Sequence, residues 1–317
     1  MSDQVHETPA GGNPLARVIG VLFSPAKAYE DISRSPSWLP PLLIYIVVFL
    51  GAFALYGSKA DWLGITEDTI RDFPFLQLAG DDAADQAVEQ QLALIRPYSW
   101  WQNTMLNGLN VIAGTVVFYH VMTLFYSTLF YVMGLFPDMR IGRAWLNFLF
   151  GIIVLIVNTV VVAVGSRAFQ SEAPATFIYL SVTSTLILTG IYAWIVNRNA
   201  SRDPALHRAL CASTYASAVG LVGALALAAT ALAVPAPIQM QVQNVVKSNL
   251  GALFPSDNSA IQSLLSSMDI FSFWFLYILT VGYRTMAKTT TGMAASIVML
   301  PWVVWVLLKL AWNVAFP

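Results

Sequence analysis

The chain has 317 residues, of which 57% are hydrophobic and only 10% are charged. Soluble domains carry roughly 25% charged residues, so this composition predicts an integral membrane protein. The net charge of -1 and the lack of a basic patch interleaved with aromatic residues argue against a nucleic-acid partner. A single cysteine, Cys211, excludes an intramolecular disulfide and a cysteine-rich metal site.

The sequence predicts two distinct parts ahead of the first membrane span. Residues 1–13 are polar with Gly and Pro and are expected to form a disordered cytoplasmic tail. Residues 14–38 are expected to form interfacial amphipathic helices, because Leu15, Val18, Ile19 and Leu22 recur at helical spacing and Ser24 with Pro25 can start a second helix. Such helices should lie in the cytoplasmic interface of the bilayer.

Two interpretations of this segment stay open. It either leads the chain into the bilayer, or it forms a surface that senses lipid packing or binds a protein partner. The candidate residues for that surface are Val18, Leu22, Phe23, Pro25, Tyr29, Ile32 and Trp38.

Uncharged windows predict the spans, because about 20 apolar residues cross the hydrocarbon core. Seven segments qualify: 39–57, 104–135, 144–166, 173–197, 208–233, 270–283 and 291–314. The predicted fold class is therefore an all-α, polytopic transmembrane helical bundle. The sixth segment is short. It can span only if Asp269 caps its N-terminus in one interface and Arg284 reaches the other.

The distribution of Lys and Arg predicts a cytoplasmic N-terminus and an outer C-terminus. With that orientation the inner segments hold Arg17, Lys27, Arg34, Arg140, Arg143, Arg198, Arg202, Arg208, Arg284 and Lys288, and the outer segments hold only Lys59, Arg71, Arg96, Arg167 and Lys247. The outer loop 58–103 is acidic. Within it an amphipathic helix is expected, with Ala84, Val88, Leu92 and Ile95 on its apolar face; it is either a solvated cover or a docking or cation-binding surface.

Polar side chains are frequent in the second span. Asn107, Asn110, Tyr119 and His120 form a candidate intramembrane polar cluster. These groups either hydrogen-bond to neighbouring helices or line a path for a small solute, as in a permease or channel. The lack of an intramembrane Asp or Glu to pair with His120 argues against a proton-coupled carrier.

The remaining patterns concern packing and chemistry. Small residues repeat every fourth position in the fifth span and permit close helix packing, within the chain or in a homo-oligomer: Ala212, Ala216, Gly220, Ala224 and Ala228. The sequence has no HExxH, GxSxG or P-loop motif, so we expect no enzyme activity, no catalytic residue, no metal and no cofactor.

Two stretches, one near each end of the chain, contain a known family pattern. The opening GVLFSPAKAYEDISRSPSWLPPLLIY has the pattern F-x-x-P-x-x-x-(F/Y)-x-x-I followed by P-x-W, with the first proline shifted by one position: Phe23, Pro25, Tyr29, Ile32, Pro36 and Trp38. It is similar to the N-terminal signature of the Yip domain family in its bacterial branch. The closing stretch from Ser263 is similar to the last two spans of the family at Asp269, Phe271, Phe273, Trp274, Gly282, Pro301 and Trp302.

The resemblance covers residues 14–135 and 205–314 and implies a Yip-like transmembrane domain over 39–317. Five spans are usual in the family, so residues 140–200 are expected to be an inserted helical hairpin. Eukaryotic members are Golgi and endoplasmic-reticulum proteins associated with Rab-type GTPases and membrane shaping. The resemblance therefore implies a non-enzymatic scaffold or adaptor of the bacterial cytoplasmic membrane. The implied partners of the protein are the lipid bilayer and an unidentified protein at the N-terminal segment. No GTPase contact is assigned to any residue.

Overall fold

The computed structural model describes residues 13–71, 80–95, 99–169, 174–238, 246 and 248–315. Within these residues the fold is all-helical and has no strand, as the sequence predicted. Residues 1–12 of the expected tail lie outside this range. In chain order the helices are α1 (Pro14–Phe23), α2 (Pro25–Arg34), α3 (Leu39–Gly57), α4 (Trp62–Arg71), α5 (Asp81–Ile95), α6 (Trp100–Val132), α7 (Ile141–Phe169), α8 (Pro174–Ala200), α9 (Pro204–Ala216), α10 (Ala218–Ala233), α11 (Leu250–Leu253), α12 (Ser259–Ser267), α13 (Ile270–Ala287) and α14 (Thr291–Ala315).

Four helical segments of the described chain are long and apolar enough to cross a membrane: Leu39–Gly57, Pro204–Ala233, Ile270–Ala287 and Thr291–Val314. Each corresponds to a predicted span. The third begins as expected, because Asp269 caps α13 and its carboxylate accepts a hydrogen bond from the Ser272 backbone N–H. Large apolar side chains such as Val47 and Trp305 are exposed on these helices, as lipid-facing side chains would be.

The bundle has two ends. The near end is formed by α1, α2 and the turns around 133–140, 201–203 and 288–290. The far end is formed by α4, α5, α11 and α12. At the near end, Leu135, Ala205 and Lys288 line one small pocket, so the three turns meet there. At the far end, the Asn313 side chain of α14 donates to Ser263 of α12.

A helix break at Ser217 was not expected. The sequence predicted one span over 208–233, whereas the structure has α9 and α10 meeting at Ser217. The Thr214 hydroxyl donates to the Leu210 carbonyl and the Ser217 hydroxyl donates to the Thr214 carbonyl. Hydroxyl groups that bond back onto the preceding turn bend helices, which accounts for the break.

At the far end, α3 and α10 pack along their lengths and share a second apolar cluster. The ammonium of Lys59 donates to the Leu232 and Val234 carbonyls and so satisfies acceptors that the end of α10 leaves free. Trp62 of α4 packs against Phe53 and Tyr56, which attaches the segment after α3 to the bundle.

In the loop 58–103, α4 and α5 pack against each other. Ala84, Val88 and Leu92 are buried, so the predicted apolar face of α5 is confirmed at these positions; the side chain of Ile95 lies outside the described residues.

The two helices over 140–200 pack along each other as a hairpin. Gly151 of α7 lies against Tyr192 of α8, where an added Cβ would stand 3.0 Å from the phenol oxygen. At the open end of the hairpin, near the start of α7 and the end of α8, the Asn199 amide donates to the Asn147 side chain at 2.6 Å. Asp203 then caps α9 and also accepts from the Arg140 backbone N–H, so the hairpin is tied to the near end.

Candidate functional site

The N-terminal segment folds as a helical hairpin, α1–α2, with Ser24 as its one-residue link. Asn13 caps α1, since its side chain accepts from the Leu15 backbone N–H. The two helices approach closely where Gly20 faces Ala28, because a Cβ on Gly20 would stand 3.3 Å from that of Ala28. Both helices begin with proline, whose missing N–H costs nothing at a first helical position.

Arg17 fastens the two helices together from the inside. Its side chain is only 6% exposed, although arginine is almost never buried without a partner. The guanidinium Nε donates to Asp31 at 2.7 Å and Nη1 donates to the Ser35 carbonyl at 2.8 Å. These charge-assisted bonds join α1 to the last turn of α2 and to the residue that follows it.

Tyr29 docks α2 between α9 and α13. Its hydroxyl donates to the Ala212 carbonyl of α9 at 2.9 Å, and its ring lies edge-on to Tyr215 at 6.5 Å. On the other side the ring covers Gly282 of α13. Burial raises the pKa of Tyr29 well above its ordinary value, so the phenol stays neutral and remains a donor.

A further set of buried aromatic residues lies next to this contact. Tyr283, adjacent to Gly282, stacks on Phe130 of α6 with ring centroids 4.5 Å apart. Its hydroxyl shares a hydrogen bond of 3.1 Å with Ser213. The ring positions therefore connect α2 through α13 to α6 and α9, and the hairpin α1–α2 is part of the bundle rather than a lead-in to it.

The structure revises the expected N-terminal surface. Five of its seven candidate residues are buried inside the protein: Val18, Pro25, Tyr29, Ile32 and Trp38. Leu22 is half-buried, and only Phe23 is largely exposed, at 78%. The physical reason is that the apolar face of α2 finds a protein partner in α9 and α13, where amphipathicity alone indicated a lipid or an external protein.

A narrower apolar surface remains on α1. Leu15, Ile19 and Phe23 follow one another at intervals of four residues and are 51%, 49% and 78% exposed. We call these three residues the α1 edge. Residues at this spacing share one helix face, and the opposite face of α1, with Arg17, Val18 and Val21, is buried. The sequence had placed Leu15 and Ile19 on the apolar stripe, but could not separate the exposed from the buried part of it.

Little of the polar cluster expected in α6 can be described. Asn107 is half-buried, and its amide donates to the Asn103 carbonyl one turn earlier in the same helix at 2.9 Å. The side chains of Asn110, Tyr119 and His120 lie outside the described residues.

Reactive groups do not assemble into a site within the part of the chain that the structure describes. There, no group of three or more His, Cys, Asp or Glu side chains is placed to hold a metal ion. Cys211 is fully buried as a free thiol under the hairpin α1–α2.

Comparison with known proteins bears on the identity of the chain. The family model described as Yip1 domain matches residues 141–313. The matched range includes both helices of the 140–200 hairpin and ends within α14, while the hairpin α1–α2 precedes it. No curated protein and no solved structure matches the chain significantly. The match covers more than half of an all-helical chain with four apolar, span-length helices in its described part, and the chain is therefore an integral membrane protein of the Yip1 domain family.

Proposed function

We propose that this protein is a non-enzymatic membrane-organising scaffold of the bacterial cytoplasmic membrane and that it acts through the α1 edge. It crosses the bilayer seven times with its N-terminus inside. Besides the four apolar segments already described, α6, α7 and α8 have 33, 29 and 27 residues, and a helix of about 20 residues suffices to cross the hydrocarbon core. An excess of Lys and Arg is typical of the cytoplasmic side of membrane proteins, and the Lys and Arg residues of the near end support a cytoplasmic position for it.

The observation that carries this proposal is the geometry of α1. Its inner face is fixed by Arg17 and by the docking of α2, and its outer face presents Leu15, Ile19 and Phe23. An apolar helix edge held at the level of the interface enters the headgroup region of one leaflet. Because the edge is attached to a rigid bundle, each copy of the protein adds apolar volume to the cytoplasmic leaflet alone, and this favours a curved membrane.

The same edge is the surface on which a protein partner would dock, since the apolar residues of α2 are already used within the bundle. Scaffold and adaptor roles therefore depend on the same three side chains. The solute-permease alternative rests on the polar cluster of α6, where Asn107 bonds within its own helix; we do not propose it.

The test compares the protein with a variant of the α1 edge in reconstituted membranes. The variant is Leu15→Ser/Ile19→Ser/Phe23→Ser, and the matched control is Phe254→Ser, which removes a 65% exposed aromatic side chain at the far end. Each labelled protein is reconstituted into a mixture of small and large vesicles, and its density per membrane area is measured by fluorescence for each vesicle size.

We expect the native protein and the Phe254→Ser control to be enriched in the small vesicles and the triple variant to be distributed evenly. Thermal unfolding in detergent serves as the folding check for all three. An equal distribution of the native protein and the triple variant would contradict the proposal.

A further inference from the structure

A large cleft opens on the side of the bundle toward the far end. It has a volume of about 820 Å³ and lies between α6, α10, α13 and α14, with Met122, Ser217, Gly223, Phe275, Trp302 and Lys309 among its lining residues. We call it the lateral cleft. Its volume lies within the range of roughly 300–1,000 Å³ that is typical of small-molecule sites. Ser217, where α9 and α10 meet, lies in its wall.

The walls of the lateral cleft are apolar and its mouth is charged. Phe271, Phe275, Trp302 and Trp305 line the walls, and Lys309 and Asp269 lie at the far end. Along α14 the distance from Pro301 to Lys309 is about 12 Å at 1.5 Å per residue. The cleft thus offers an apolar channel of that length below a polar opening, which is the shape of a site for one amphipathic molecule. Four of the seven family-like positions of the closing stretch line it: Asp269, Phe271, Pro301 and Trp302.

Lys309 supplies a cation that no carboxylate of the described residues neutralises. Its ammonium makes a long hydrogen bond of 3.4 Å to the Ser267 hydroxyl, and no ion pair of Lys309 occurs among the described residues. A partly buried ammonium group with one weak neutral acceptor is suited to bind a phosphate oxygen.

Asp269 supplies an acceptor that is only half used. Its Oδ2 accepts from the Ser272 backbone N–H at 2.9 Å and from the Ser272 hydroxyl at 3.1 Å. Its Oδ1 is buried and has no hydrogen-bond partner within the described part of the chain. A buried carboxylate oxygen without a donor is costly, and an N–H donor from a ligand would remove that cost.

We propose that the lateral cleft binds one phospholipid with a primary ammonium headgroup, of which phosphatidylethanolamine is the common form. The lipid phosphate binds Lys309, the headgroup ammonium donates to Asp269 Oδ1, and one acyl chain lies along Phe275 and Trp302. Phosphatidylcholine lacks the N–H donors that Oδ1 needs, and phosphatidylglycerol brings a negative charge without a cation to face Asp269.

The test measures lipid binding to the full chain in detergent by native mass spectrometry. Phosphatidylethanolamine, phosphatidylcholine and phosphatidylglycerol with identical acyl chains compete in equal amounts. We expect phosphatidylethanolamine to bind about tenfold more tightly than phosphatidylcholine, as one charge-assisted hydrogen bond provides. Equal binding of these two lipids would overturn the proposal.

Asp269→Asn tests the headgroup contact without removing the helix cap, because Asn is as good an N-cap as Asp. We expect this variant to bind phosphatidylethanolamine and phosphatidylcholine equally. If it keeps the preference, Asp269 is not the ammonium site. Lys309→Gln is expected to weaken the binding of all three lipids, since each carries a phosphate.

Gly223→Leu tests the acyl-chain part. Gly223 lines the cleft and a Cβ at this position meets nothing within 4 Å, so a larger side chain here takes up space in the cleft. The matched control is Gly51→Leu on α3, where a Cβ also meets open space but the residue does not line the cleft. We expect Gly223→Leu to lose bound lipid and Gly51→Leu to keep it; retention of lipid by a folded Gly223→Leu variant would overturn the proposal.

Discussion

The ring of Tyr29 lies directly on Gly282, so that a Cβ at position 282 would stand 2.7 Å from Tyr29 Cζ. Atoms at that distance overlap, and only glycine allows the ring to sit there. The contact joins the N-terminal hairpin to α13, which lies close to the other end of the chain. It explains why two residues of the family-like pattern, far apart in sequence, belong to one structural feature.

Gly282→Ala should therefore destabilise the protein. Overpacking a buried contact costs about 1–3 kcal/mol, which exceeds the gain of roughly 0.5–1 kcal/mol from replacing a helical glycine by alanine. Gly51→Ala, where the Cβ meets open space, is the control and should raise stability slightly. Thermal unfolding in detergent measures both. A Gly282→Ala variant as stable as the control would show that Tyr29 does not press on this position.

Tyr29→Phe should alter the response of stability to alkaline pH. Burial raises the pKa of Tyr29 in the folded protein, whereas the unfolded chain keeps a pKa of about 10.0. The contribution of the Tyr29 phenol to stability is thus complete below pH 10. It decreases as the pH rises above 10, because the phenol loses its proton in the unfolded chain first. The variant should be less stable by about 0.5–1.5 kcal/mol at neutral pH, from the lost bond to Ala212, and should lose less stability above pH 10. Parallel alkaline curves for the two proteins would exclude this account.

Because Arg17 is buried, removing Asp31 should lower the stability of the protein more than removing Arg17 itself. Asp31→Ala removes the carboxylate from a buried guanidinium that keeps its bond to the Ser35 carbonyl, at a cost of about 1–3 kcal/mol. Arg17→Met keeps an apolar stem of similar length and leaves Asp31, which is 47% exposed, free to meet water. The unfolding midpoints of the two variants and of the double variant show which substitution lowers stability more. A larger loss of stability for Arg17→Met than for Asp31→Ala would contradict this prediction.

The ion pairs of the loop 58–103 should contribute little to the stability of the protein. Arg71 contacts Glu67 at 3.0 Å and Asp85 at 2.9 Å, and these carboxylates raise its pKa, but all three side chains are well exposed. Water and salt screen exposed pairs, and holding long side chains in place costs entropy. Arg71→Ala should leave the unfolding temperature unchanged at low and at high salt. A clear drop in unfolding temperature at low salt only would show that the Arg71–Asp85 pair holds α4 to α5.

The helices with a simple physical signal were predictable from sequence. The uncharged window between Arg34 and Lys59 gave the first span, and the observed α3 has the predicted bounds. The capping role of Asp269 followed from its place before an apolar run. The buried face of α5 followed from the spacing of Ala84, Val88 and Leu92.

What could not be predicted depends on contacts between distant segments. Amphipathicity shows that one side of α2 avoids water, but not whether lipid or protein covers it; Ile32 is fully buried because α9 and α13 are close by. The break at Ser217 depends on which way two hydroxyl groups turn. The charged mouth of the lateral cleft brings together Asp269 and Lys309 from two helices, and no local pattern marks that pair.

The most direct test of the central claim is the position of the α1 edge relative to the bilayer. A spin label replaces Phe23 in a Cys211→Ala background, with a label at the exposed, charged position Lys27 of α2 as the control. Collision rates with oxygen and with a water-soluble nickel complex are then measured in proteoliposomes. We predict that the label at position 23 collides more with oxygen and the label at position 27 more with nickel. If position 23 behaves like position 27, the α1 edge faces water, and it does not organise the membrane in the proposed way.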